Sequence, residues 1–420
     1  MNRLRNSFLF AFTIFLTYLN AAPCKACGDG ETFVQGVLKI SVVEQSVAVV
    51  LDFNYLAKDN ARSSLSFWID SEMDIQSVDG HQVKSYSFDK KAEPFATLTV
   101  TFTEELGERE ETTFSIAYSG KPSKGFWVEE YQWVDIDPDF MIFPVFNTLE
   151  NFSYQIKAVV DDVNYKFIDI QKGIFSKEIE VTSVSPSYYI NPILASDNQK
   201  NGMALFDSSA GDDNIKVFTE YADSARFVSD AALRIFDLFN STFAKEEQVN
   251  FCSVLYRPIP YDEHKITRSF KPSVVFARSH DNIATLAHEI SHFWWDRGDA
   301  LTTEKWLSES FAQYSEMMFL RHDQGEEIFN EIIEKLAART GNLPPLLGGD
   351  RFGKYGDELI YAKGPYALYQ LESRIGHEEF VDFLVAVNRN RVATTGHLLE
   401  VLEKQTSAEI RKEFEKLLKS

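Results

Sequence analysis

An α+β protein in two successive parts, an antiparallel β sandwich or large curved sheet followed by a mainly helical domain, is what this 420-residue sequence predicts. Three observations predict it. Apolar residues recur with a period of two from Val34 to about Val184. The period lengthens to the helical one near residue 223, and a turn-rich stretch, SDNQKNGMALFDSSAGDD, separates the two regimes. At about 100–200 residues per domain the length asks for two or three domains. With 44% hydrophobic and 25% charged residues, the chain belongs among folded proteins, not disordered or collagen-like ones. Its 63 acidic against 42 basic side chains give a formal net charge of -21. Affinity for a phosphate backbone rests on Lys and Arg displacing counterions, so no nucleic-acid partner is expected.

The opening MNRLRNSFLFAFTIFLTYLNAAPC sets Arg3 and Arg5 before an apolar run from Phe8 to Leu19 and then small residues, the pattern of a signal peptide over residues 1–21. The run falls short of the roughly 20 residues that cross a bilayer, so no stable membrane span is expected. The chain is expected to be exported, to a periplasm or out of the cell. Cys24 and Cys27 follow at once as a C-x-x-C. The first reading is an inert pair or a small disulfide loop, with lipid attachment and a metal site as the alternatives. Cys252, in the apolar VNFCSVLY, reads as a core residue.

Residues 22–205 are expected to form the β-rich domain. Val47, Val49, Leu51, Phe53 and Tyr55 alternate with other residues, as do Leu98, Val100 and Phe102, then Phe114, Ile116 and Tyr118, then Phe152, Tyr154 and Ile156. Each run reads as a strand with one buried face. This half has a single histidine, His81, and is expected to support or bind, not to react. Residues 206–420 are expected to form the second domain. Val228, Ala231, Ala232, Ile235, Leu238 and Phe239 fall at helical spacing behind Asp223 and Ser224. Strands follow at Val249 to Tyr256 and Ser273 to Ala277. Helices are then marked by Ile283 to Trp294 behind Asp281, by Leu307 to Met318, and by Ile328 to Leu336, with others over 364–375, 378–388, 395–404 and 407–419.

The chemistry is concentrated in HEISHFWWDRGDALTTEKWLSESFAQYSE, which begins at His288. Residues four apart share a helix face, so His288 and His292 can turn their imidazoles to one cation, with Glu289 beside them in reach of a water there. Two neutral imidazoles with a third ligand and an exchangeable water make a catalytic zinc site. Glu309, on the next helix and separated from His292 by sixteen residues, is the candidate third ligand. Glu304, and comparably Glu316, could accept a proton from a ligand imidazole and fix its tautomer.

HEISHFWW followed by KWLSESFAQYSE resembles the gluzincin metallopeptidases of the aminopeptidase N and leukotriene hydrolase family, whose pattern is H-E-x-x-H-x-W and then W-L-N-E-G-F-A-x-Y. Trp294, Trp306, Leu307, Glu309, Phe311, Ala312 and Tyr314 stand at its positions, and YAKG at Tyr361 to Gly364 is similar to its Y-E-K-G. The resemblance implies an N-terminal β saddle ahead of a thermolysin-like catalytic domain. It also implies one Zn2+ held by His288, His292 and Glu309, Glu289 as the proton carrier, and Tyr361 as the oxyanion donor. The implied activity is hydrolysis of peptide bonds in a peptide or protein substrate through a zinc-activated water, aminopeptidase-like. The connection to Glu309 is shorter than that family's usual one, its large C-terminal helical domain is missing, and its amine-gripping G-x-M-E-N is not recognisable in DEHKITRSFKPSVVFA, where Glu263 is the only glutamate. These departures leave an endopeptidase open. The alternative from another class is a non-catalytic binding or scaffold protein on the same fold. Oligomeric state is not legible.

Overall fold

The structure, a computed structural model, describes residues 31–420 apart from 59–60, 93–94, 124–126, 129–132, 136–140, 149, 170–173, 184–189, 191–192, 197–203, 208–213, 220–221, 244–247, 250, 258–266, 271–272, 278–281 and 301. The signal-peptide segment, Cys24, Cys27, Glu263 and Asp281 lie outside the described residues. The chain divides into two compact units, one up to residue 203 and one from residue 204. It is a mixed α+β protein, with β-sheets in the first unit and most of its helix in the second.

In the first unit the strands are β1 (Phe33–Ser41), β2 (Ser46–Leu56), β3 (Arg62–Trp68), β4 (Met73–Asp79), β5 (Val83–Asp89), β6 (Thr97–Leu106), β7 (Glu111–Gly120), β8 (Trp127–Val128), β9 (Trp133–Asp135), β10 (Val145–Phe146), β11 (Ser153–Val160), β12 (Tyr165–Asp169), β13 (Ile174–Ser176), β14 (Glu178–Thr182) and β15 (Ile193–Ser196). They form sheets in the orders β14-β11-β1-β2-β7-β4, β10-β3-β6-β5 and β13-β12-β15-β9-β8. The two-residue period has the consequence it must have. Val47, Val49, Leu51, Phe53 and Tyr55 of β2 turn one face inward and are almost fully buried. Phe53 stacks on Phe114 of the neighbouring strand β7 at 4.8 Å between ring centroids and meets Phe67 of the second sheet at 5.4 Å, so the core between these sheets is rich in aromatic rings. One expectation needs correction. The strands are not all antiparallel, because β1 pairs with β11 in parallel, Phe33 beside Ser153 through Ile40 beside Val160. A parallel partner is brought in by a long crossover, and alternation within a strand carries no trace of that choice.

The second unit opens with a sheet of β16 (Ala204–Asp207), β17 (Asn214–Thr219), β18 (Phe251–Arg257), β19 (Thr267–Phe270) and β20 (Ser273–Ala277), in the order β16-β17-β18-β20-β19. β17, β18 and β20 run parallel and the edges antiparallel. The sequence reading found only β18 and β20. β16 and β19 are only four residues long, and β17, at six, carries the polar Asn214, Lys216 and Thr219 among its apolar residues, whereas β20 holds the continuous apolar run Val274 to Ala277. Helices follow as expected: α1 (Ala222–Phe243), α2 (Ile283–Ser291), α3 (Trp306–Gln324), α4 (Glu326–Thr340), α5 (Gly364–Ile375), α6 (His377–Arg389), α7 (Thr395–Gln405) and α8 (Ala408–Leu418). A π-turn, Leu359–Lys363, leads into α5. α3 is the central element. Trp306, Leu307, Phe311, Tyr314, Met317, Met318 and Phe319 are all buried, so its first four turns are enclosed on nearly every side and Glu309 and Glu316 have little solvent to face. Among the described residues no helix is long and apolar enough to cross a membrane.

Candidate metal centre

α2 is short, and its rotation is fixed at both ends. The Asn282 carboxamide oxygen accepts the Thr285 N–H at 3.4 Å and its hydroxyl at 3.0 Å, capping the first turn. Leu286, Ala287 and Ile290 are fully buried in the core of the unit, which forces His288 and Glu289 onto the remaining faces. His292 sits at the C-cap with its backbone still helical, φ -60° and ψ -12°, so it lies one turn beyond His288 with 5.0 Å between ring centroids. Its Nδ1 is 2.9 Å from the Trp295 carbonyl. That carbonyl can only accept, which assigns the proton to Nδ1 and leaves the Nε2 lone pair for a cation. Trp295 is held in turn, its indole N–H donating to Ser315 Oγ at 2.8 Å. The orientation of one candidate ligand is therefore built on α3.

α3 supplies Glu309. Its Oε2 is 3.4 Å from His288 Nε2 and 3.6 Å from His292 Nε2, and one donor atom from each of the three residues lies within 4.8 Å of the others. Donors held about 2.0–2.1 Å from a tetrahedral ion are roughly 3.3–3.4 Å apart. The two carboxylate-to-imidazole separations are close to a tetrahedral edge, and the donor set, two imidazoles and a carboxylate, is one zinc accepts. The other Glu309 oxygen, Oε1, is 3.3 Å from Lys305 Nζ, an i,i+4 pair on the same helix. Behind His288, Glu316 Oε2 faces Nδ1 at 3.6 Å.

The charges agree with the geometry. Burial by itself pulls the His288 pKa down, but the Glu309 and Glu316 carboxylates, with Glu289 close by, overcome it and raise it to about 10. Burial by itself raises Glu309, and His292, His288 and Lys305 hold it well below the usual carboxylate range instead. The carboxylates gathered here thus favour positive charge between them. Glu289 is buried, and its field reaches both His288 and Tyr361. Tyr361, on the π-turn, has its ring centroid 6.3 Å from that of His288. Burial first, and the Glu309 carboxylate second, raise its pKa well above that of free tyrosine, so the hydroxyl keeps its proton.

The structure thus brings His288, Glu289, His292, Glu309 and Tyr361 into one pocket. It assigns Glu304 a different task from the one expected. Its Oε2 accepts the N–H and hydroxyl of Thr395 at 2.7 and 2.5 Å, anchoring the start of α7, and Glu316 is the carboxylate that faces a ligand imidazole. The short connection between α2 and α3 closes because Gly298 has no side chain. A Cβ there would come within 2.2 Å of the Glu304 carbonyl oxygen. Lys305 was readable from its i,i+4 spacing and was missed. Cys252 is fully buried, and burial pushes its thiol far above the ordinary value, as befits an inert core residue.

No protein-family model matches this sequence, and no curated protein matches it significantly. Solved structures do. A zinc metallopeptidase of the M1 class from Deinococcus radiodurans is 15% identical, with a TM-score of 0.64 over 94% of this chain and 94% of its own. Native leukotriene A4 hydrolase from Saccharomyces cerevisiae is 14% identical, with a TM-score of 0.68 over 96% of this chain and 71% of its own. A two-domain M1 zinc metallopeptidase bound to L-arginine is 15% identical, with a TM-score of 0.67 over 94% of this chain and 95% of its own. The chain has the fold shared by the M1 zinc metallopeptidases and leukotriene A4 hydrolase.

Proposed function

We propose that this protein is an exported, zinc-dependent metallopeptidase, aminopeptidase-like in its choice of substrate, with a thermolysin-like catalytic domain following a β saddle. The observation that carries the reading is the convergence of one donor atom each from His288, His292 and Glu309 within 4.8 Å of one another, with Glu309 at 3.4 and 3.6 Å from the two imidazoles and Glu289 and Tyr361 close by. His288, His292 and Glu309 would hold one Zn2+. When bound, the ion supplies a Lewis acid that polarises a scissile carbonyl and brings a water's pKa to about 7. Glu289 takes a proton from the attacking water and delivers it to the leaving amine, work that buried carboxylates perform when held beside the reacting atoms. Tyr361, its hydroxyl protonated, donates to the oxyanion of the tetrahedral intermediate. Glu316 and the Trp295 carbonyl keep the two imidazoles oriented.

Peptide substrates are supported by the fold and by what its neighbours hold: a Deinococcus radiodurans structure is bound to Tyr-Ser-Ala, and yeast leukotriene A4 hydrolase to bestatin. Export is supported by the N-terminal residues alone. The test is hydrolysis of short peptides by the purified protein with and without a chelator, and of each peptide beside its N-acetylated form. Chelator-sensitive cleavage confined to free amino termini is the expected result. Equal cleavage of both forms would turn the reading to an endopeptidase, and no cleavage of any peptide would remove it.

A further inference from the structure

The π-turn that carries Tyr361 contains a backbone vacancy that another helix fills. The Gly364 N–H donates to the Leu359 carbonyl, the i+5 pairing of a π-helix. The donor that would serve the next carbonyl, Ile360, in that register belongs to residue 365, which is proline and has no N–H. Ile360 is fully buried, so its carbonyl has no water to turn to. Ser310 of α3 supplies the donor, its Oγ 2.6 Å from the Ile360 oxygen across a sequence separation of 50. Ser310 is itself fully buried. The two segments can approach this closely because residue 364 is glycine. A Cβ there would fall 1.9 Å from Ser310 Oγ and 2.7 Å from Ser310 Cβ.

Ser310 follows Glu309 and Ile360 precedes Tyr361. One buried hydrogen bond therefore ties the backbone beside a candidate metal ligand to the backbone beside the candidate oxyanion donor. We propose that Ser310 is a positioning residue for Tyr361, setting where its hydroxyl stands relative to the metal ligands. The inference rests on the peptidase reading and adds a residue to it. Ser310 touches no substrate; it acts through Tyr361.

The experiment compares the full chain as Ser310→Ala, Ser310→Cys, Tyr361→Phe, Ser310→Ala/Tyr361→Phe and Ser310→Ala/Pro365→Ala. Ser310→Ala is expected to lower kcat at least about tenfold, with KM and zinc content within about twofold of wild type, since a small misplacement of a catalytic group acts on the transition state. In the Tyr361→Phe background the same change is expected to do nothing further. Pro365→Ala restores an N–H in register with the Ile360 carbonyl, so the double variant carrying it is expected to regain activity, and Ser310→Cys, a weak donor, to fall between. Unchanged kcat in Ser310→Ala, an equal loss in the Tyr361→Phe background, or loss of zinc together with activity each overturns the assignment. Where Ser310→Ala does not fold, the Pro365 double variant and Ser310→Cys carry the comparison. A wild type that hydrolyses nothing removes the peptidase reading and leaves the tether to be read by amide hydrogen exchange. Exchange at least about tenfold faster over 359–366 in Ser310→Ala, with 283–291 unchanged, supports the tether, and unchanged exchange overturns it.

Discussion

Gly298→Ala puts the short connection between the two ligand helices under direct strain. The new Cβ would stand 2.2 Å from the Glu304 carbonyl oxygen and 3.0 Å from its carbon, both backbone atoms that no side-chain rotation can move. Reaching ordinary contact at about 3.4 Å requires an opening of ~1.2 Å. That opening acts where the Gly298 N–H donates to Ser308 Oγ at 2.9 Å, one residue before Glu309. Glu309 Oε2 meets its two imidazole nitrogens at 3.4 and 3.6 Å, whereas a metal site tolerates about 0.2 Å in its bond lengths. The shift exceeds that tolerance several times over. Zinc affinity is expected to fall about 10–100-fold or more, with an overpacking cost of about 1–3 kcal/mol in stability. Competition against a chromophoric chelator measures the first and thermal melting the second. A folded Gly298→Ala protein with wild-type zinc affinity would refute the claim that this turn sets the distance from Glu309 to the histidines.

Further outcomes follow from the same geometry. Tyr361→Phe is expected to reduce kcat about 100-fold to 1000-fold with zinc retained, in steady-state assays beside metal analysis; near-wild-type turnover rejects its role. Glu316→Gln leaves His288 Nδ1 facing a neutral acceptor and is expected to weaken zinc binding about 10-fold or more by chelator competition; unchanged affinity would mean that Glu316 does not orient the ring. In chelated protein His288 has its folded pKa raised from 6.5 to about 10, so the stability it contributes is fully present below pH 6.5 and is lost as pH rises through 10. Glu309 is depressed, so its contribution is present above its unfolded value and is lost in acid. The Tm of metal-free protein should therefore decline between pH 7 and pH 10, and a Tm that climbs over that interval contradicts the assigned cause. Glu304→Gln should weaken the anchor on Thr395 and lower Tm while leaving zinc content intact.

The helices of the second unit were legible because their apolar stripes are long. The spacing of Ile283, Leu286, Ala287 and Ile290 fixed which face His288 presents, and Glu309 could be singled out by its place in W-L-S-E-S. What could not be read is long-range. β1 pairs in parallel with a strand more than 100 residues away, and no local period encodes a partner. Glu304 and Glu316 are alike in sequence as nearby acidic residues, and only the fold decides that one meets Thr395 and the other His288. Ser310 and Ile360 share no motif, yet Pro365 was a visible clue. A proline at the head of a helix removes a donor, and the carbonyl it orphans must find another.

The central claim is most directly tested by measuring zinc content and peptide hydrolysis together in the wild type and in Glu289→Gln. The account predicts about one zinc per chain in both, with hydrolysis lowered about 100-fold to 10,000-fold in the variant, because the ion stays and the proton carrier is gone. A wild-type chain that takes up no zinc, or a Glu289→Gln protein that cleaves peptides at the wild-type rate, would contradict it.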